Sequence, residues 1–237
     1  MAQVRKEGVE ILRVLCGSRA YGLHDEDSDY DYHSVYVVPT SRLLMLGQGA
    51  LKNTQWEEGG AEDNTGWELG HFLNLATHCN PTVLETFVAP VVRNADGTLD
   101  ERGEQLRALF PYVLSRKRVL DAFRGYASNQ RKKMFEPYGE DKERRMRKAA
   151  VAYLRSLYHG QELLREGTYS PRIEDEVWWK RLRAIRSGEE ARQGRVIDWA
   201  AELEAYIEYA YEHSKVQLEP DFDAVNGVLL QMRRENW

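Results

Sequence analysis

The stretch CGSRAYGLHDEDSDYDYHSVYVVP, residues 16–39, decides the fold of the N-terminal half of this chain. Residues 11–15 (ILRVL), immediately before it, are mostly apolar and predict a β-strand, and Gly17 and Ser18 predict the turn that ends this strand. A short helix or loop follows the turn, and a β-rich run then returns to the end of the stretch. The pattern therefore predicts two strands joined by a short glycine-containing connection.

Two aspartates, Asp29 and Asp31, lead into the second strand. Because side chains alternate along a strand, the two carboxylates are predicted to share one face, while Tyr30 and Tyr32 point to the other, packed side. Neighbouring carboxylates resist desolvation unless a cation neutralises them. This spacing therefore indicates a divalent-cation site, because such cations prefer oxygen ligands.

The Gly17-Ser18 turn suits a phosphate group. Glycine lets the backbone approach a ligand closely, and the N–H groups at the start of a helix attract anions. The Ser18 hydroxyl adds a donor, and Arg19 is a candidate partner for phosphate. Taken singly, a Gly-Ser pair is usually only a turn and an Asp-x-Asp pair usually a solvated edge, but their order and spacing together favour a functional site.

Residues 17–23 (GSRAYGL) with residues 28–31 (SDYD) resemble the signature of the DNA polymerase beta-like nucleotidyltransferases, in the RlaP-like branch associated with RNA repair. The similarity continues in Asp63, in residues 80–85 (NPTVLE) and in a helical segment at residues 148–167. It thus extends over roughly residues 11–170, with its most specific motifs in the first third of the chain.

The resemblance implies a set of roles. Asp29, Asp31 and Asp63 would hold Mg²⁺ (or Mn²⁺), with Asp63 as the third carboxylate on an adjacent strand. Gly17 and Ser18 would bind the triphosphate of a nucleoside triphosphate. Glu57, Glu58 and Glu62 lie near Asp63 in the sequence and are the alternatives for the third carboxylate.

The chain departs from the branch just after the second aspartate, where a basic residue and a glycine are usual. His33 and Ser34 occupy these positions here. We expect metal binding to survive this change, and the packing of the neighbouring strand, or what the nucleotide contacts, to differ.

The resemblance implies an α/β (α+β) nucleotidyltransferase domain with a small mixed sheet over residues 1–110. The helical pattern of the remainder predicts an all-helical domain over residues 111–237. Helices are expected near residues 116–136, 141–166, 174–186 and 198–217, the last capped by Asp198. The 237 residues carry a net charge of −5, which does not by itself indicate nucleic acid or membrane as a partner.

The chain has no apolar run of membrane-span length, and residues 1–8 are too polar for a signal peptide. Its two cysteines, Cys16 and Cys79, are predicted to be buried free thiols, in keeping with a cytoplasmic location.

Positive charge is concentrated in residues 116–148, which contain twelve Lys/Arg and five Asp/Glu. This segment therefore has seven more basic than acidic residues, in a chain that is acidic overall. Such clustering is typical of a polyanion-binding surface, and Arg131, Lys132 and Lys133 are the best candidates for contacts with triphosphate or RNA backbone. The alternative is a solvated helix face with ion pairs four residues apart.

These observations predict a metal-dependent nucleotidyltransferase. It would transfer a nucleoside monophosphate from a nucleoside triphosphate such as ATP to a hydroxyl acceptor. The resemblance to the RNA-repair branch implies the 3′ end of a tRNA-like RNA as this acceptor. Two alternatives remain: AMP transfer to a protein side chain, and a non-catalytic nucleotide- or RNA-binding module. The oligomeric state is left open.

Overall fold

The computed structural model of this chain describes residues 8–46, 54–57, 62–93, 97–137, 139–190 and 192–237. For residues 54–57, 62 and 63 it describes the backbone alone. The described elements confirm the predicted class, a small mixed sheet near the N-terminus followed by helices.

The sheet has four described strands in the order β1-β2-β4-β3. Strand β2 runs antiparallel to β1 and parallel to β4, and β3 pairs with β4 in the antiparallel sense. The strand bounds are β1 (Val9–Cys16), β2 (Tyr30–Val37), β3 (Thr54–Glu57) and β4 (Glu62–Glu68). The sheet is therefore mixed, with β2 between an antiparallel and a parallel neighbour.

Eleven helices lie among the described residues, and their order follows the chain. In the N-terminal part they are α1 (Gly17–Ala20), α2 (Thr40–Leu44), α3 (Leu69–Thr77), α4 (Pro81–Val88), α5 (Glu101–Ala108) and α6 (Phe110–Val113). The later helices are α7 (Arg116–Phe135), α8 (Lys142–Glu166), α9 (Glu176–Ser187), α10 (Gln193–Glu212) and α11 (Phe222–Glu235).

The chain divides into two compact units, which are described separately. One unit contains the sheet, α1–α3, α4 from Thr82 onward, α5, α6 and the C-terminal helix α11. The other, the helical unit, contains residues 78–81 and α7–α10. The sequence predicts two domains that meet between residues 110 and 111, and this division stays a prediction.

An aromatic chain forms the core of the sheet-containing unit. The ring centroids of Trp67, Phe72, Phe87 and Phe110 follow one another at 6.2, 5.0 and 5.6 Å. All four side chains are buried, so strand β4 and helices α3, α4 and α6 share one apolar centre.

Helix α11 packs within the sheet-containing unit although it is last in the chain. Arg233 Nη1 lies 2.7 Å from Glu68 Oε1, and both side chains are largely buried. The Thr40 backbone N–H donates to the Asn236 carbonyl oxygen at 2.6 Å. The final helix therefore anchors the end of β4 and the start of α2.

The predicted start of α10 is wrong. The helix begins at Gln193 after Arg192, and Asp198 lies inside its first turns rather than at its cap. Val196 is buried together with Ala200 and Leu203, so the apolar stripe of this helix already starts before Asp198.

Both cysteines are free and buried, which confirms the predicted thiols. Burial raises the pKa of Cys79 to about 11, and a backbone hydrogen bond with Ser115 only partly offsets this effect. A thiol with this pKa is a structural rather than a reactive group. Within the described residues, no helix combines the length and apolar character that a bilayer span requires.

Glu162 on α8 gives the helical unit a testable pH dependence. Burial raises the pKa of Glu162 to about 7, from an ordinary value of 4.5, although the Tyr158 hydroxyl and Arg165 act in the other direction. Since the folded state holds this proton more tightly than the unfolded state, the contribution of Glu162 is fully present below pH 4.5 and is lost as the pH rises to about 7. We therefore expect the stability of the wild type to fall relative to Glu162→Gln across this window.

The measurement is the thermal midpoint of both proteins at pH 5 and pH 8. The thermal midpoint of Glu162→Gln relative to that of the wild type should be higher at pH 8 than at pH 5, because glutamine does not ionise. A difference that stays constant with pH would contradict the raised pKa of Glu162. Glu166→Gln on the exposed end of the same helix is the matched control.

Candidate functional site

Strand register brings the predicted acidic positions together. In the sheet, Cys16 on β1 pairs with Asp31 on β2, and Asp31 pairs with Asp63 on β4. Partners in neighbouring strands lie about 4.8 Å apart in the hydrogen-bonding direction. The backbones of Asp31 and Asp63 are therefore neighbours, at the point where β1 passes into the Gly17 turn.

Gly17 lies directly beside the Asp31 carboxylate. Gly17 has a φ of +65°, in the left-handed region, and opens α1 directly after β1. A Cβ atom on Gly17 would lie 2.0 Å from Asp31 Oδ2. The absence of a side chain on Gly17 therefore leaves the space that the Asp31 carboxylate occupies.

The start of α1 is the turn that the sequence predicts to bind phosphate. Cys16 is the N-cap residue of this helix and makes no side-chain capping hydrogen bond. Ser18 is half-buried, and its carbonyl oxygen accepts from the Leu23 N–H at 2.9 Å. This bond closes the turn over GSRAYGL.

Asp29 immediately precedes β2 and is exposed, whereas Asp31 is half-buried. Carboxylate oxygens are ligands that Mg²⁺ and Mn²⁺ accept, so the donor chemistry of this pair fits a hard divalent cation. Among the described side chains, no group of three His, Cys, Asp or Glu could hold a metal ion. The predicted third carboxylate, the side chain of Asp63, lies outside the described residues.

Arg19 has a structural partner in this site. Its Nε and Nη2 donate to the Ser28 carbonyl oxygen at 3.2 and 2.7 Å, and its guanidinium lies 3.9 Å from the centre of the Tyr30 ring. Arg19 therefore connects the turn that begins at Gly17 with the loop that contains Asp29. Its predicted contact with phosphate remains a prediction.

The expectation that Tyr30 and Tyr32 face a packed side is wrong for Tyr30, which is 42% exposed. The two rings stack with centroids 6.4 Å apart, and Arg13 covers Tyr32 as Arg19 covers Tyr30. Guanidinium groups rather than apolar side chains cover this face, because cation–π contacts tolerate partial exposure.

Sequence reasoning missed the contact that joins two of the motifs. The Tyr21 hydroxyl of GSRAYG lies 2.9 and 3.1 Å from the two carboxylate oxygens of Glu85 of NPTVLE. Glu85 is only 5% exposed. Helix α4 therefore holds the glycine turn in place through a buried carboxylate.

The neighbouring residue on α4 holds β2. His33 Nδ1 lies 3.1 Å from Thr86 Oγ1, and the Thr86 hydroxyl donates to the Thr82 carbonyl oxygen at 3.3 Å. Because the hydroxyl has one proton, His33 Nδ1 is assigned as the donor to Thr86. His33 also packs edge-on against Trp67, with ring centroids 5.0 Å apart. The departure from the branch pattern at this position thus serves the packing of β2.

Tyr21→Phe tests the link between the two motifs. We expect it to lower the free energy of unfolding by about 1–3 kcal/mol, because the buried Glu85 carboxylate loses the hydrogen bond from the Tyr21 hydroxyl. Urea unfolding measures the change, and Tyr206→Phe at an exposed position is the control. Equal midpoints for wild type and Tyr21→Phe would show that the hydrogen bond carries no stability.

Lys132 and Lys133 lie on α7 in the helical unit and are both exposed. They do not share a face, since adjacent residues of an α-helix are about 100° apart. Lys133 lines a cleft of about 270 Å³ between α7 and α8. Both residues remain predicted contacts of triphosphate or RNA.

The chain is similar to several known proteins. It is 31% identical, over 130 residues, to the uncharacterized protein YcgL of Bacillus subtilis, and the match covers 50% of this chain and 49% of that protein. The chain thus spans about half the length of this curated relative. A nucleotidyltransferase-like protein of Exiguobacterium sibiricum, solved as a crystal structure, matches 97% of this chain and 75% of its own at 13% identity, with a TM-score of 0.30.

The family comparison covers nearly the whole chain. Residues 1–231 match the model of RlaP, described as the RNA repair pathway DNA polymerase beta family. The match includes the glycine turn, the acidic positions and the helical unit. The chain belongs to the RNA repair pathway DNA polymerase beta family, a family of polymerase beta-like nucleotidyltransferases.

Proposed function

We propose that this protein transfers a nucleoside monophosphate from a nucleoside triphosphate, with ATP as the first candidate, to the 3′-hydroxyl of an RNA. The observation that carries the proposal is the packing of Asp31 against the side-chain-free Gly17, in register with Asp63. Acidic residues beside a glycine turn suit a reaction in which phosphate charge must be held and neutralised. Family membership supports the same reaction class.

In this reaction the acceptor oxygen attacks the α-phosphorus of the triphosphate. One P–O bond forms to the acceptor, the bond between the α-phosphorus and the bridging oxygen breaks, and pyrophosphate leaves with that oxygen. The acceptor proton passes to solvent or to a nearby base. The backbone N–H groups at Gly17 and Ser18 would bind the triphosphate and fix its orientation.

Asp29, Asp31 and Asp63 would hold Mg²⁺ or Mn²⁺. When bound, such cations lower the pKa of an attacking hydroxyl and stabilise charge on the leaving oxygens. The carboxylates supply the negative charge that keeps the cations in place, and Arg19 holds the loop of Asp29 against the turn. We assign the reaction to the cytoplasm, which the two buried free thiols support.

The test is incubation of the protein with each labelled nucleoside triphosphate, Mg²⁺ and either RNA or a protein mixture, beside Asp29→Ala/Asp31→Ala. Label on RNA in the wild type alone supports the proposal. Label on protein instead would favour the AMP-transfer alternative. Nucleotide binding without transfer to any acceptor would favour the non-catalytic alternative, and equal labelling by wild type and variant would overturn the catalytic assignment.

A further inference from the structure

Two adjacent residues of α4 reach two different parts of the candidate site. Glu85 accepts a hydrogen bond from the Tyr21 hydroxyl of the glycine turn at 2.9 Å. The next residue, Thr86, lies 3.1 Å through its Oγ1 from Nδ1 of His33 on β2. Glu85 and Thr86 are both buried. Because adjacent helical residues point about 100° apart, one helix can hold the turn and the strand at the same time.

Helix α4 is itself anchored in the sheet-containing unit. The ring centroid of Phe87 lies 5.0 Å from that of Phe72 and 5.6 Å from that of Phe110. Just after the helix, the Pro90 carbonyl oxygen accepts from the Leu15 N–H of β1 at 2.8 Å. The helix is thus attached to the aromatic core and, at its end, to the strand that leads into the glycine turn. It is therefore a rigid support for the residues that it contacts.

The turn and the strand that α4 supports are in close contact with each other. A Cβ atom on Gly17 would lie 2.0 Å from Asp31 Oδ2, so the turn and the carboxylate have little room to move independently. Asp31 and His33 are two apart on β2, and their side chains share a face of the sheet. A shift of the turn or of β2 would therefore change the alignment of the predicted phosphate-binding and cation-binding groups. A misplacement of about 1 Å can lower a reaction rate about a hundredfold.

We propose that Glu85 and Thr86 are positioning residues for nucleotide transfer. Glu85 fixes the glycine turn for the triphosphate through Tyr21, and Thr86 fixes the strand of Asp31 for the divalent cation through His33. The inference rests on the proposed function, which supplies these two ligands. Both residues act through another side chain, as the outer groups of metal and phosphate sites commonly do. The two links therefore have separable effects, one on the triphosphate and one on the cation.

Two variants break the links one at a time. Tyr21→Phe removes the hydroxyl that donates to Glu85, and Thr86→Val removes the oxygen beside His33 with little change in side-chain size. Glu85→Gln and Thr86→Ser are the conservative variants, because each keeps an oxygen that can accept the same hydrogen bond. Phe87→Leu is the control on the same helix, because it changes the aromatic core and keeps the side chains of both links.

Isothermal titration calorimetry of the full-length proteins measures the binding of two probes. The first is Mn²⁺ alone, and the second is an ATP analogue with a methylene group between its α- and β-phosphates, in excess Mg²⁺. The methylene group replaces the bridging oxygen, so the analogue binds without transfer. Urea unfolding of each variant sets conditions under which all of them are folded.

We expect Tyr21→Phe to bind the analogue about tenfold more weakly, the loss that corresponds to one hydrogen bond of usual strength, and to keep its affinity for Mn²⁺. Thr86→Val should bind Mn²⁺ about tenfold more weakly, as expected for the loss of an outer group of a metal site. The two conservative variants should bind both probes nearly as tightly as the wild type. Phe87→Leu should unfold at lower urea and keep both affinities.

Three outcomes would overturn the proposal. Wild-type affinities in Tyr21→Phe and Thr86→Val would mean that the two hydrogen bonds only stabilise the fold. Equal weakening of both probes in these variants and in Phe87→Leu would mean that the fold as a whole is loosened. Failure of the wild type to bind either probe would refute the site together with its supports. The expected pattern of binding, in a wild type that transfers nucleotide to no acceptor, would support the positioning roles and refute the proposed transfer.

Discussion

Asp31→Asn should lower the rate of nucleotide transfer by about a thousandfold while the protein stays folded. The substitution keeps the size of the side chain but removes the negative charge that lies against Gly17. Bound divalent cations contribute several kcal/mol to charge stabilisation in reactions of this class, and each 1.4 kcal/mol is about tenfold in rate. A charge-neutral amide cannot hold a cation with comparable strength.

The measurement is a single-turnover assay with labelled nucleoside triphosphate and RNA over a range of Mg²⁺ concentrations. Asp27→Asn is the matched control, because it makes the same charge change at an exposed position in the preceding loop. Asp31→Asn activity within tenfold of the wild type would contradict the assignment of Asp31. A rise in the Mg²⁺ concentration needed for half-maximal activity, specific to Asp31→Asn, would link the loss to the cation.

The strands that carry the site could be predicted because their signals are local. Residues 9–16 and 30–37 combine β-branched and aromatic residues with turn residues at their ends, and both strands form where the pattern indicates. The relation between Gly17 and Asp31 also follows from the sequence, since a strand, a turn and a return strand bring the two together. Gly17 has a left-handed backbone conformation, which glycine adopts at little cost and other residues do not.

The rest of the site depends on contacts between distant residues. Tyr21 and Glu85 are 64 positions apart, and no periodicity in either segment indicates that a phenol would meet a buried carboxylate. The ion pair of Arg233 with Glu68 likewise brings the last helix back to the sheet. Hydrophobic pattern predicts which face of a helix is buried but does not identify its partner, because many faces are equally apolar.

Helix geometry could have refined one sequence prediction. The sequence predicts one shared role for the adjacent residues Lys132 and Lys133, although adjacent helical residues point about 100° apart. A grouping by steps of three and four would have joined Lys133 to Gln130 on one face, the arrangement that lines the cleft. Arg145 and Lys148 of α8 also line this cleft. They reach it because α8 packs against α7, and the charge pattern alone does not specify which helices pack together.

Gly17→Ala should impair both stability and transfer. The backbone at Gly17 has a φ of +65°, where an L-residue costs about 1–2 kcal/mol, so the free energy of unfolding should fall by at least this amount. In addition, the new Cβ would lie 2.0 Å from Asp31 Oδ2, so the carboxylate must move away. A misplacement of about 1 Å at a reacting centre lowers the rate about a hundredfold.

Gly167→Ala separates the two effects. Gly167 ends α8 with a φ of +74°, and a Cβ there would meet no atom within 4 Å. We therefore expect Gly167→Ala to lower stability to a similar degree in urea unfolding but to retain wild-type transfer when assayed below its unfolding midpoint. Gly17→Ala, assayed under conditions in which it is equally folded, should remain about a hundredfold slower. If both variants transferred nucleotide at the wild-type rate, the contact between Gly17 and Asp31 would be a feature of packing and not of the catalytic site.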